Sequence, residues 1–570
     1  VALQDNTTGV NNVALGRAAI GNNIDGNSNS AVGHNALRLN TTGDNNVAVG
    51  ISALYNNTAD NNTAVGGSAL VANTSGGYNT AVGYLSLDAN TTASYNTALG
   101  RESLTDNITG AQNSAVGVYA LRRNTTGTSN TGMGYASLIT NTTGTNNTAY
   151  GHNSLYANTT SSNNTALGTN ALIANTTGSS NAAVGSGALD ANTTGAANTS
   201  VGVSSLGSTT TGQHNVAVGY YANYENVSGN YNVTMGLQAG RYTTGSNNTA
   251  LGYQSMFGLS GQSSASNNTA VGYQSLYTNT TGSGLTAVGY GALKLNTSGS
   301  ENTAIGRNAL DANTTGASNT AVGRDSLGAN TTASFNSAFG FNALKANTTG
   351  ANNTAVGEGA MEVNIGGSFN TAMGVSALDA NTTGADNVAL GTYSLSTNTT
   401  AGKNTAVGRS SLSANITGAQ NVAVGYASLE ANTTGFENVA VGSIALDANT
   451  TGIGNVAIGE AALTTATTAS YNTGVGRAAL RLTTTGASNT GIGFEALKAN
   501  TTGAQNVSVG ANALTFNTTG DNNVALGIYA LEDNTTADDN TAIGTTALSA
   551  NTTGAKNTAV GRSSLYANTT

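Results

Sequence analysis

The chain has 570 residues, of which only 8% are charged, with no Pro, Cys or Trp, 76 Gly and a formal net charge of −9. The lack of cysteine excludes disulfides and thiolate metal sites, and the mildly acidic balance argues against a nucleic-acid footprint. No run of 18 apolar residues is present to span a membrane as a helix, and Val1 does not open a basic-then-apolar signal segment.

From Asn12 onward one phrase repeats. Numbered 1 to 17 from Asn302 (NTAIGRNALDANTTGAS), its first position falls at Asn12, Asn29, Asn46, Asn62, Asn79 and on to Asn557, which makes 33 copies. The step is 17 residues except at Asn46 to Asn62 and Asn232 to Asn248 (16) and Asn248 to Asn268 (20). Leu3 occupies position 9, so the chain opens partway through a coil, and Thr570 is position 14. Neither end carries the atypical capping repeat that solenoids need, and the expectation is a fragment of a longer protein.

Within each copy the first element is T-A-I-G. Strand alternation puts positions 2 and 4 on one face and positions 3 and 5 on the other. The larger side chains are expected inside, as a core ladder of Ile305, Leu310, Val322 and Leu327. Position 5 is Gly in every copy, which marks a corner: Gly16, Gly306, Gly323 and Gly561 are examples. A second strand is expected over A-L-D-A, with Leu310 and Ala312 inward and Ala309 and Asp311 outward. Asn-Thr-Thr-Gly then closes the coil with turn chemistry.

Seventeen residues cannot hold two helices and a turn, so helical repeats are excluded on length. What remains is an all-β parallel β-solenoid, a single array over 1–570 of about 33 coils, roughly 160 Å long at one strand spacing per coil. Like side chains would stack into ladders, with Asn side chains hydrogen bonded along the stack. One coil buries too little to stand alone, so stability must come from stacking. The small uncharged strip of Ala304 and Gly306 is expected to face outward, where so long a strip should pack on another subunit.

The segment 206–268 is the most irregular. Asn223 and Gly240 interrupt the Leu row at position 9, and a three-residue expansion falls within GYQSMFGLSGQSSASNN (252–268). If anything protrudes it is the loop around Met256–Ser266, but drift in a tolerant array is the favoured expectation.

Little in the sequence carries chemistry. His34 and His152 (position 6) and His214 (position 17) are many coils apart and cannot share a metal. Glu430 and Asp447 occupy position 10 of neighbouring coils, about 5 Å apart in a stacked array, near the separation of a retaining glycosidase pair. No aromatic-lined cleft is expected around them, and a solvated carboxylate ladder is the expectation. No enzymatic site, cofactor or metal is expected. Asn-Thr-Thr is also a glycosylation acceptor, as at Asn90, Asn141, Asn313 and Asn551, although the motif serves the turn equally well. The two Thr of the turn are adjacent and would point to opposite sides, which argues against a flat ice-binding Thr array.

NVAIGEAAL (455–463) and NTAVGYQSL (268–276) resemble the head repeats of YadA-type trimeric autotransporter adhesins, and repeats of phage tail-fibre-like proteins are similar. The resemblance rests on Asn, Ala, Val/Ile and Gly at positions 1, 3, 4 and 5 and covers the whole chain, whose coil is a few residues longer. It implies a left-handed β-roll and a homotrimer on a cell surface or virion, with adhesion as its role. The alternative expectation is a carbohydrate- or receptor-binding fibre module, with host or surface glycans as partners.

Overall fold

In the computed structural model, which describes residues 1–569, every copy contributes one three-residue strand, from β1 (Val13–Leu15) to β33 (Thr558–Val560). The chain divides into two compact units, Val1–Leu285 with β1–β16 and Thr286–Thr570 with β17–β33. Each unit is a parallel β-solenoid in which successive strands pair in register. In the first, Thr63, Ala64 and Val65 lie beside Thr80, Ala81 and Val82. In the second, Thr303, Ala304 and Ile305 lie beside Thr320, Ala321 and Val322.

The strand faces are the reverse of the expectation. Ala304 is fully buried, whereas Ile305 is 40% exposed, so position 3 points into the coil and positions 2 and 4 point out. Ile305 is therefore no core residue, and Val322, one coil on, is only partly buried. The interior is narrow, and it takes Ala at position 3, Ala or Ser at position 8 and Leu at position 9. Leu310 and Leu327 are completely buried, as expected, and so is Ala309, which was expected outside. A Ser in this interior bonds backbone: Ser86 Oγ donates to the Gly83 carbonyl (2.9 Å), and Ser200 Oγ donates to the Ser205 carbonyl (2.8 Å).

The second expected strand is absent. Residues 307–312 form a turn in which Asn308 and Leu310 adopt φ of 55° and 51°. The left-handed region is costly for a branched side chain. It pays here because alternating the backbone hand turns successive N–H groups up and down the stack. Asn308 N–H donates to the Tyr290 carbonyl one coil back (2.9 Å), and Leu310 N–H to the Ser326 carbonyl one coil on (3.0 Å).

Gly306 is the corner the sequence predicts. Its φ is +138°, and a Cβ there would lie 2.5 Å from the Gly323 carbonyl oxygen, so both backbone shape and stacking exclude a side chain. Gly16, Gly323 and Gly561 have φ of 129°, 138° and 118°.

Each letter of Asn-Thr-Thr-Gly has its own role. Asn313 is buried; its Nδ2 donates to Asn296 Oδ1 (2.8 Å) and to the Gly316 carbonyl (3.0 Å), and its Oδ1 accepts from Asn330 (2.9 Å). Thr314 Oγ1 donates to the Thr331 carbonyl (3.0 Å). Thr315 is exposed, and Gly316 lies inside. A second Asn column runs through position 1, where Asn302 Oδ1 accepts from Asn319 N–H (2.9 Å) and Asn302 Nδ2 donates to the Gly316 carbonyl (2.7 Å). Two buried carboxamide ladders thus occupy space that a larger fold would fill with hydrocarbon. Most of their polar groups are satisfied, as burial demands; Asn192 Oδ1, Asn449 Oδ1 and Asn540 Nδ2 are exceptions.

Candidate functional site

The outward strand face is the most extensive feature. Position 4 presents a column of aliphatic and aromatic side chains to solvent, among them Val32, Val49, Leu99, Tyr150, Phe339 and Ile458. Beside it runs the half-buried Thr or Val of position 2, such as Thr303 and Thr320. With Ala304 and Gly306 turned inward and around the corner, the case for a covered surface moves from the alanines to this column.

The aspartates of position 10 share one electrostatic character. Asp88 is pushed up to about 6, chiefly by burial, with Asp106 and Glu102 adding repulsion. Asp311, Asp379 and Asp447 are also raised, and burial is the main cause in each. Glu430 raises Asp447 only as a lesser contribution, behind burial and opposed by backbone hydrogen bonds. Asp190 is raised with no charged neighbour contributing. The shift therefore belongs to the shoulder of the coil where position 10 sits, and does not single out Glu430 and Asp447 as an acid–base pair.

The four Asn-Thr-Thr acceptors lie inside. Asn90, Asn141, Asn313 and Asn551 are each 0% exposed. Their Nδ2 atoms donate to the Asn one coil back at 2.8, 2.7, 2.8 and 3.1 Å. A glycan needs that same nitrogen and would break the ladder, so the folded coil leaves it no room. The structural use of Asn-Thr-Thr prevails.

His152 stacks on Tyr135 (5.2 Å) and His214 on Tyr231 (5.0 Å). Among the described residues no group of three or more His, Cys, Asp or Glu could hold a metal ion, and no helix is long and apolar enough to cross a membrane.

The loop around Met256–Ser266 is tied down. Ser260 Oγ donates to Glu225 Oε1 (2.7 Å) and Gly261 N–H donates to Glu225 Oε2 (3.1 Å), so the insertion laps back across the shortened coil before it. Of the two breaks in the Leu row, Asn223 is buried with an unpartnered Nδ2, whereas Gly240 is accommodated. A Cβ on Gly240 would lie 2.8 Å from the Thr234 methyl, so glycine at position 9 makes room for threonine at position 3. On the outside, Arg241 sits over the rings of Tyr221 (4.8 Å) and Tyr242 (4.9 Å).

A further feature lies over the shortened coil Asn46–Asn61. A polar groove of about 560 Å³ there is lined by Asp44, Asp60, Ser75, Tyr78 and Tyr95 among others. In the sequence its mark is the 16-residue step from Asn46 to Asn62, which by itself does not specify a groove. No family model and no curated protein sequence matches this chain.

Proposed function

We propose that the chain is the repeat region of an extracellular structural and adhesive fibre on a cell or virion surface, and that its copies associate side by side as a homotrimer. The observation that carries this reading is the exposed column at position 4. Fully burying a Val, Leu or Ile is worth about 1.5–3 kcal/mol. A side chain left some 40% open, as Ile305 is, thus forgoes roughly 0.6–1.2 kcal/mol per coil. Over the seventeen strands β17–β33 this reaches at most about 10–20 kcal/mol per chain, since residues such as Val322 are less open, a ceiling of the order of the rough cost of association. An apolar strip of this length calls for a cover, and an identical strip on a second and third copy supplies one in register. The threefold number rests on the resemblance to trimeric adhesin heads. The solenoid itself supports a mechanical role, because within each unit successive coils are hydrogen bonded through the backbone and through Asn and Thr ladders with few interruptions.

Sedimentation tests the reading. The wild-type chain should run as a trimer, and a variant with Lys at Ile305, Val322 and Phe339 should dissociate while keeping its β-sheet circular dichroism. A wild-type monomer would overturn it.

One observation supports a second reading. Thr at position 2 and Val at position 4 form two outward columns about 6.6 Å apart, with rungs about 4.8 Å apart. This flat, regular array is the kind of surface an ice-binding solenoid presents, and it lies on the strand, away from the Thr pair of the turn. A monomeric chain that inhibits ice recrystallisation would favour it.

A further inference from the structure

We propose that the groove over the shortened coil Asn46–Asn61 is a binding subsite for a neutral saccharide. That coil lacks one residue of the repeat. In a full coil position 14 is an exposed residue at the edge of the turn, such as Thr315. In the shortened coil Thr58 holds position 13, since its Oγ1 donates to the Thr74 carbonyl (3.0 Å). Ala59 holds position 15, since its carbonyl accepts from Asn46 and Asn57 (2.9 and 2.7 Å). Position 14 is the residue removed. Its absence opens a notch between Thr42 of the coil before and Ser75 of the coil after, both of which line the groove.

The rim of the notch is aromatic. Tyr78 and Tyr95 stack with ring centroids 5.2 Å apart and planes 9° from parallel, and they are 57% and 60% exposed. Tyr95 covers one face of Tyr78. On the other side the neighbour is Asn61, whose coil carries the notch, and Asn61 is too short to cover the outer part of the ring. At the second shortened coil, Asn232–Asn247, a stacked pair stands on the opposite side, in the two coils before it. There His214 and Tyr231 stack at 5.0 Å, and Tyr231 is followed by Asn247 in the shortened coil. These are the two places in the sequence where position 17 is aromatic in consecutive coils, and each adjoins a shortened coil.

The floor of the notch selects the ligand. Asp44 Oδ1 accepts from Asn27 N–H (2.6 Å), and Asp60 Oδ1 accepts from Asp44 N–H (2.8 Å). Each carboxylate is thereby held in place at the groove with its second oxygen not used by these bonds. Gly77, next in the same column, adds no side chain, and Ser94 Oγ accepts from its N–H (3.1 Å). A pyranose has C–H bonds that meet the negative face of an aromatic ring and hydroxyls that donate to carboxylates, a strong class of hydrogen bond. Two carboxylates with no cation lining the groove repel an anionic sugar. The second notch carries Asn230 and Ser246 where the first has Asp44 and Asp60, so it offers the ring without the charged acceptors and should bind more weakly.

This inference deepens the adhesive reading by giving it a ligand class, yet the two fail separately, because sugar binding and sedimented mass are read independently. The test is saturation-transfer NMR on the full chain with neutral hexasaccharides of glucose and of N-acetylglucosamine, followed by titration. Transfer to at least one of them is expected. Tyr78→Ala, Asp60→Asn and insertion of a Thr between Thr58 and Ala59 should each weaken it roughly tenfold or more, while Tyr471→Ala, a lone position-17 ring, leaves it unchanged. Circular dichroism confirms that each variant folds. No transfer at millimolar sugar, or transfer indifferent to Tyr78→Ala and to the insertion, overturns the proposal. So does a groove that binds calcium alone, with binding lost in Asp60→Asn and kept in Tyr78→Ala.

Discussion

Ala466 interrupts the buried Asn ladder of position 12, and replacing it with Asn should stabilise the surrounding coils. Asn449, one coil back, has an Oδ1 with no protein partner, and Thr483, one coil on, has an Oγ1 in the same state. The same defect appears at Asn192 Oδ1, which lies one coil before Thr209, another interruption of the column. In Ala466→Asn the new Nδ2 should donate to Asn449 Oδ1 and to the Ala469 carbonyl, as Asn313 does to Asn296 and Gly316. Relieving one orphaned buried acceptor is worth about 1–3 kcal/mol. Repeat arrays open locally, with stability carried by neighbouring coils, so the measurement is hydrogen exchange of the amides from Leu446 to Thr484 in the intact chain. At about 1.4 kcal/mol per factor of ten, exchange should slow roughly 5- to 150-fold. Asn313→Ala is the mirror experiment: it removes the donor to Asn296 Oδ1 and to the Gly316 carbonyl and should speed local exchange by a comparable factor. If Ala466→Asn leaves exchange unchanged or faster, the carboxamide ladder is not the energetic spine described above.

Three further outcomes follow from the geometry. Ala304→Leu should cost about 1–3 kcal/mol by overpacking a full interior, whereas Ile305→Thr, on the outward face, should leave the stability of the isolated chain within about 0.5 kcal/mol; thermal melts decide between the two faces. Gly306→Ala should disrupt its coil, because a Cβ there meets the next corner at 2.5 Å, and rapid local exchange around β18 (Thr303–Ile305) reads this out. Asp88 has its pKa raised from 3.8 to about 6 by burial, so the folded chain binds the proton more tightly than the unfolded chain. The contribution of this group is fully present below about pH 4 and is lost as pH rises through about 6. Asp88→Asn should therefore slow local exchange at pH 7 and flatten its dependence between pH 4 and 6.

Much of this fold was legible in the repeat. The period gave one coil per phrase, invariant glycine gave the corner, and the Leu row gave the core column at Leu310 and Leu327. The strand faces were misread because hydrophobicity was used without size. Position 3 is never larger than Thr: its exceptions to Ala are residues such as Gly132, Ser200 and Thr234. Position 4 accepts anything from Val to Tyr150 and Phe339. A ceiling on volume marks a tight interior, and tolerance marks an open face. The left-handed Leu at position 9 could not be foreseen from propensity, since its cost is met only by hydrogen bonds to coils that exist once the array is stacked. The groove at Tyr78 had a signal, a missing residue beside paired aromatics, which becomes meaningful once position 14 is known to be the exposed edge of the turn.

The claim that most needs testing is that the outward strand face meets other copies of this chain. Sedimentation equilibrium of the purified protein tests it directly. The account predicts three times the 56.1 kDa of one chain, falling to one on placing Lys at Ile305, Val322 and Phe339. A dimer would contradict the threefold arrangement, and a single-chain mass at every concentration would contradict the covered face itself.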